Sequence, residues 1–504
     1  MNLKEILIAS FSVFSKWRKS NLVKALIELR DKYIQLQDRV NQLKKENALL
    51  REQIEQDKIK ATNIEVNKPS SKKAEWEKDG SKKKDKVKKK RKSRKQKPRK
   101  GAGNRPKDKE PNQTATATVE QCDLCGKDLS DQAPLNSTNE RIIEDLPDPP
   151  EETSVTLVTQ QKKYCADCQH VITAKSDLAL PGADIGLNAT ILACYLWVAA
   201  CLPYPKIKEY LETFFRLTTS TSGLSYHVIR VARIMKDVHA EILDGIKHSA
   251  ILHADETGWR VRGRNWWLWV FGTPDTAYFT VDKTRGSAVV RRVLGEIFFG
   301  VLVVDGWSAY LYLLCEQQSC LSHLLRKVRK FRDAFPHLTD IVKFYLKLRR
   351  IIRDGERLQK KRGQLGEVVF KRRLKRLKKR LADLVKWPNP DSVLEEIIAK
   401  VKRQQPRILT FVEHRGVPSH NNYAEYLIRI GVLKRKISGG SVSAEGAEAY
   451  AALLSIHVTC KLRGISFPKY LKASLEHYVH TGKPLSLHDY GLESAIDTEA
   501  KRAA

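Results

Sequence analysis

The stretch ILHADETGWR, Ile251 to Arg260, decides the fold. It opens as a short apolar run, which predicts a strand ending at Asp255. It then passes into an acid, a hydroxyl residue and a glycine, which predict a turn. A carboxylate at a strand end is held by rigid backbone yet faces solvent, as a hard divalent cation requires of an oxygen ligand. The run FFGVLVVDGW, Phe298 to Trp307, repeats the pattern and ends on Asp305. A third acid lies in SHNNYAEYLIR, Ser419 to Arg429, where Ser419 or Asn421 can cap a helix. Asn421, Glu425 and Arg429 then share one face of that helix. Three carboxylates on separate elements can hold two metal ions about 4 Å apart, one for the attacking and one for the leaving oxygen of a phosphodiester. Taken singly, each acid is more often a turn former.

The stretches HADETGWRVRGRNWWLWVF, VVDGWSAY, CLSHLLRK, HNNYAEYLIR, RKISGGSVSAEGA and TCKLRGISFPKYL together span about half of the chain. In this order they resemble the transposases of IS66-type insertion sequences. The resemblance implies an Asp-Asp-Glu triad at Asp255, Asp305 and Glu425 on a ribonuclease-H-like catalytic domain, with two Mg²⁺ (or Mn²⁺) ions. It implies DNA, both element ends and target, as partner, companion proteins from the same element, and a prokaryotic, cytoplasmic, nucleoid-associated location. It also gives the Cys-x-x-His element, Cys320 and His323, a supporting role beside the carboxylates, and Asn421 joins them.

The catalytic region takes residues 246–440. After the first strand, RNWWLWVFGT and DTAYFTVD alternate around a turn at Thr273 to Asp275, and GSAVVRRVLGEIF supplies a helix before the second acid-ended strand. Several tryptophans cluster here and read as packing residues, with an exposed one available to stack on an unpaired base. A basic helical insertion follows at about 326–410, exemplified by VVFKRRLKRLKKRLADLVKW. Its cationic face suits DNA, a second protomer or plain solvation. Beyond Glu425, KRKISGGSVS from Lys434 to Ser443 reads as a phosphate-binding loop, which makes Arg429, Lys434, Arg435 and Lys436 candidates for DNA contacts. Helices and a polar tail fill 441–504.

Upstream, 181–245 reads as short helices in a helix-turn-helix-like arrangement with Ser225, His227 and Arg230 facing DNA; a purely structural three-helix module fits as well. Within 116–180, Cys122 and Cys125 pair with Cys165 and Cys168 as two CxxC knuckles, the spacing of a structural Zn²⁺ ribbon, and His170 is a hydrogen-bonding neighbour. The linker 61–115 includes Lys82 to Lys100, where fourteen of nineteen residues are Lys or Arg, so it forms no core and suits a nonspecific tether on phosphates. In 1–60, Leu22, Leu29, Leu36, Leu43 and Leu50 repeat every seven residues, with Leu26, Tyr33, Val40, Asn47 and Ile54 at the other seam position. This is a coiled-coil pattern whose Asn47 favours a parallel homodimer, although a helix packed on its own protein also fits.

The whole is a multidomain α/β chain of 504 residues, 41% hydrophobic, with a net charge of +34 that points to a polyanion. No apolar run reaches membrane-spanning length. The competing reading is a noncatalytic DNA-binding regulator, or an inactive relic of a transposase.

Overall fold

In the computed structural model the described residues are 19–66, 114, 118–121, 124–132 and 147–490. Most of the basic linker, Cys122, the first 18 residues and the last 14 lie outside them. The chain divides into two compact units, Lys73–Leu157 with Glu209–Thr219 in one and the remainder in the other. In the smaller unit Gln121 bridges Asp128 and Cys125 is exposed.

The larger unit begins with one long helix, α1 (Lys19–Val66), along which Tyr33, Leu36, Val40, Leu43, Leu50 and Ile54 are exposed. The hairpin β1 (Lys162–Cys165) and β2 (His170–Thr173) pairs Cys165 with His170. Helices α2 (Leu187–Val198), α3 (Tyr204–Phe215, whose residues from Glu209 on belong to the smaller unit), α4 (Thr221–Ile234) and α5 (Lys236–Lys247) follow. The Ser220 hydroxyl caps α4 by accepting the Gly223 N–H at 3.0 Å, as its sequence predicts. The side chains expected to face DNA from α4 are committed elsewhere. His227 is buried, Arg230 donates to the Pro181 carbonyl at 2.7 Å, and Ser225 bonds the Tyr204 hydroxyl. Packed against α13, described below, α4 serves the core.

The sheet consists of β3 (Ile251–Val261), β4 (Arg264–Gly272), β5 (Ala277–Asp282), β6 (Ile297–Val304) and β7 (Leu314–Ser319), in the order β5-β4-β3-β6-β7. The β3-β4 and β4-β5 pairs are antiparallel, and β3-β6 and β6-β7 are parallel. The crossover from β5 to β6 is α6 (Ser287–Leu294), anchored by Val289, Val290, Val293 and Leu294. The turn expected at Thr273 to Asp275 is there, closed by the Thr273 N–H on the Thr276 carbonyl at 2.8 Å.

β3 does not end at Asp255. It runs on to Val261 because β4 offers it an antiparallel partner throughout, with Glu256 opposite Trp269 and Trp259 opposite Trp266. The turn falls at Arg262 and Gly263, both at positive φ (49° and 73°), the backbone that a tight hairpin requires. Parallel pairing with β6, by contrast, stops at His253 opposite Val303. Asp255 therefore sits where β3 and β6 part.

Eight helices complete the unit: α7 (Leu321–Ala334), α8 (Thr339–Lys360), α9 (Glu367–Leu384), α10 (Ser392–Gln404), the single turn α11 (Thr410–Glu413), α12 (Asn422–Ser438), α13 (Ala444–Leu462) and α14 (Phe467–Thr481). The insertion helices bury Phe344, Leu348, Leu394, Val401 and Phe411 in one cluster with Val301 and Val303 of β6. Each such side chain stabilises the fold by about 1.5–3 kcal/mol. On the other edge α13 closes β5, since Ser455 and Thr459 accept the backbone N–H groups of Phe279 and Ala277 at 2.7 and 3.1 Å. Helix α12 lies flush on the sheet, because a Cβ at Gly272 would strike Leu427 and one at Gly431 would strike Leu268. By contacts, Val158–Lys208 and Ser220–Ala504 fall in the same compact unit as the sheet.

Candidate active site

Asp255 and Asp305 stand at the C-terminal end of the parallel pair β3-β6, Asp305 directly after Val304. Asp255 accepts the Glu256 N–H at 2.9 Å. Burial, and then the neighbouring charges of Glu256, Asp305 and Glu425, push its carboxyl well above the ordinary range. Asp305 accepts the Trp307 amide N–H at 2.9 Å across Gly306, whose φ of 82° glycine adopts without strain.

Glu425 lies in the first turn of α12, where the helix dipole favours a carboxylate. His323 Nε2 is 3.4 Å from Glu425 Oε1, and burial lowers the imidazole while Asp305 and Glu425 act against that lowering. Asn421 occupies the helix N-cap position, but its side chain makes no capping bond. Instead its Nδ2 donates to the Ala254 carbonyl at 2.7 Å and its Oδ1 meets His253 Nδ1 at 2.9 Å, fastening α12 to β3. The Asn421 amide N–H points at Cys320 Sγ at 3.2 Å, Cys320 N–H donates to Val304 at 2.7 Å, and Leu321 N–H donates to Ser419 at 3.0 Å. Cys320, His323 and Asn421 therefore come together around the start of α12.

The cationic candidates divide. Arg429 and Lys436 are exposed. Lys434 is buried, contrary to a phosphate contact: its ammonium donates to the Leu202 carbonyl at 2.8 Å and lies 5.2 Å from the centre of the Trp197 ring. Burial pushes its pKa down to about 8. Arg435 turns inward to Thr257 Oγ1 at 3.1 Å and to the Gly258 carbonyl. Nor is KRKISGGSVS an open loop. It is helical to Ser438, turns at Gly439 (φ 72°), and at Ser441 bridges alongside Val261 through bonds to Arg260 and Arg262. Trp259 and Trp269 are core residues, as packing predicts.

One acid has no place in the sequence-based triad. Glu256 is 5% exposed, and Arg285 donates to its Oε1 from Nε and Nη2 at 2.8 and 2.5 Å while the Tyr310 hydroxyl donates to Oε2 at 2.6 Å. Burial first, then Asp305, push its carboxyl up to about 7 against Arg285 and Tyr310. Its adjacency to Asp255 was the signal available, since alternate strand residues face opposite sides of a sheet.

The donor set of two aspartates and a glutamate suits a hard divalent cation, and the mutual charge raising Asp255 is what such an ion would relieve. Among the described residues no three His, Cys, Asp or Glu side chains are drawn close enough to hold a metal as they stand. In the β1-β2 hairpin the Cys165 thiol is held below its ordinary value, foremost by the backbone N–H of Cys168.

A mixed sheet that gathers acids from two adjacent strands and one flanking helix defines an α/β protein with an acidic site at its strand ends. The sequence model of the transposase IS66 family matches residues 185–449, more than half of the chain, and the chain belongs to that family. It is also similar to the uncharacterized protein y4jD of Sinorhizobium fredii, 24% identical over 326 residues, 59% of this chain and 64% of that protein. The uncharacterized protein y4jO of the same organism is 38% identical over 78 residues, 16% of this chain and 24% of its own length. The matches thus span just under two thirds and about a quarter of these relatives.

Proposed function

We propose that the chain is a DNA transposase that cuts a phosphodiester at an element's end and joins the freed 3′-hydroxyl to target DNA. The observation that carries this reading is the convergence of Asp255, Asp305 and Glu425, from three separate elements, closely enough for their charges to act on one carboxyl. The sheet order supports a ribonuclease-H-like domain. In this reading the three carboxylates hold two Mg²⁺ or Mn²⁺ ions, which when bound activate an attacking oxygen and stabilise a leaving one. Asp255 and Asp305, on rigid strands, fix two sides of the site. Glu425 closes the third, kept in place by Asn421 and faced by His323.

DNA approaches over cations that the fold leaves free. Arg429 stands one helical turn from Glu425, and Arg372, Lys375, Arg376 and Lys379 run along one exposed side of α9. The linker adds a nonspecific tether. The two CxxC pairs keep their reading as Zn²⁺ ligands from their spacing, and the exposed seam of α1 supports a parallel homodimer. Among the described residues no helix is long and apolar enough to cross a membrane.

The test is strand transfer by the purified chain from a labelled fragment of its element's end into a plasmid, with Mg²⁺ or Mn²⁺, beside Glu425→Gln. Product from the wild type alone is expected. Binding without product, with companion proteins supplied, would instead make the chain a regulator or an inactive relic.

A further inference from the structure

Behind the acidic centre a partly buried chain of contacts joins its two aspartates through residues outside the triad. Glu256 follows Asp255 on β3 and holds Arg285 by two donors to one oxygen, 2.8 and 2.5 Å away. The Arg285 guanidinium lies 3.9 Å from the ring centre of Trp307 and 4.8 Å from that of Trp267. Trp307 then makes two bonds in opposite directions. Its indole N–H donates to the Arg285 carbonyl at 3.1 Å, and its amide N–H donates to Asp305 Oδ1 at 2.9 Å.

We propose that Arg285 is a positioning residue for the metal-holding carboxylates: it grips Trp307 on the ring face and at the indole edge, and so fixes the amide that orients Asp305. Its fork on Glu256 ties the same unit to β3 one residue from Asp255. A planar guanidinium is required, because its fixed fork of donors grips a carboxylate while its flat face stacks on an indole; a lysine ammonium, a compact point charge, reproduces neither the fork nor the planar stacking. Partners that orient metal-ligating side chains typically contribute 10–100-fold to metal affinity. The inference rests on the metal-dependent reading above.

The experiment measures Mn²⁺ affinity of the full chain without DNA, from the free-ion electron paramagnetic resonance signal, with thermal unfolding alongside. Asp255→Asn gives the background from other sites. Arg285→Lys and Arg285→Met are each expected to weaken Mn²⁺ binding about tenfold or more. Trp307→Phe, which keeps a ring against the guanidinium but loses the indole donor, is expected to weaken it about threefold, a part of that contribution. Arg285→Lys binding as tightly as the wild type would show that only charge matters and would overturn the proposal. If the Arg285 variants do not fold, Trp307→Phe decides, and an unchanged affinity overturns it. A wild type that takes up no more Mn²⁺ than Asp255→Asn overturns the metal reading, and this inference with it.

Discussion

Asp255 and Glu256 are consecutive residues of one strand, and they meet opposite surroundings. Glu256 has three donors from Arg285 and Tyr310 and a stacked cation to neutralise it. Asp255 accepts one backbone N–H and feels the charges of three other acids, Glu256, Asp305 and Glu425. A buried carboxylate whose lone pairs are filled by the protein belongs to the architecture. One left among like charges is poised for a cation the protein does not itself provide.

The contrast can be broken most forcefully at Asp255. Asp255→Asn should lower cleavage and strand transfer by about 10³-fold or more, since metal-borne charge stabilisation contributes several kcal/mol, while gel-shift binding to DNA stays near the wild-type level. Retained strand transfer would remove Asp255 from the triad. Next in size, Glu256→Gln should destabilise the chain by about 3–5 kcal/mol in denaturant titrations, because it leaves the Arg285 cation without its counter-charge. A loss as small as that of a surface substitution would show the pair to be dispensable.

A pH titration sharpens the comparison by sign. His239 donates from Nε2 to the Phe279 carbonyl, and burial holds its pKa at about 4 against an ordinary 6.5. Its neutral form is favoured on folding, so its contribution is full above pH 6.5 and is lost as the pH falls toward 4. The stability gap between the wild type and His239→Gln should therefore narrow by about 3 kcal/mol across that window. Asp255, raised by burial first and then by its acidic neighbours, acts in the opposite sense and weakens the metal-free fold as pH rises. The smallest effect follows: metal-free Asp255→Asn should be more stable than the wild type at pH 8 by about 1 kcal/mol, by differential scanning calorimetry, and a less stable variant would contradict the like-charge account.

Strands β3 to β6, the hairpin at Thr273 to Asp275 and the placing of Asp255 and Asp305 on them were legible in the sequence because apolar runs and turn residues act locally; β7 was not. Glu425 and Asn421 were legible as members of one helix face. What the sequence withheld depends on distant partners. Lys434 reads as a surface cation until Trp197 and the Leu202 carbonyl, more than two hundred positions earlier, enclose it. The extension of β3 beyond Asp255 was hidden because Glu256, Thr257 and Gly258 have turn-like composition, and only pairing with Trp269, Leu268 and Trp267 overrides it. The work of Glu256 was invisible because Arg285 and Tyr310 reach it from separate elements.

The join between Cys320 and Asn421 has a further consequence. Leu321 and Ser419, which bond each other, are the two ends of the helical insertion, so that long excursion departs from the sheet and returns at the same spot. The place where Glu425 arrives is then set at this neck, while the helices beyond it hold to β6 through a cluster of their own.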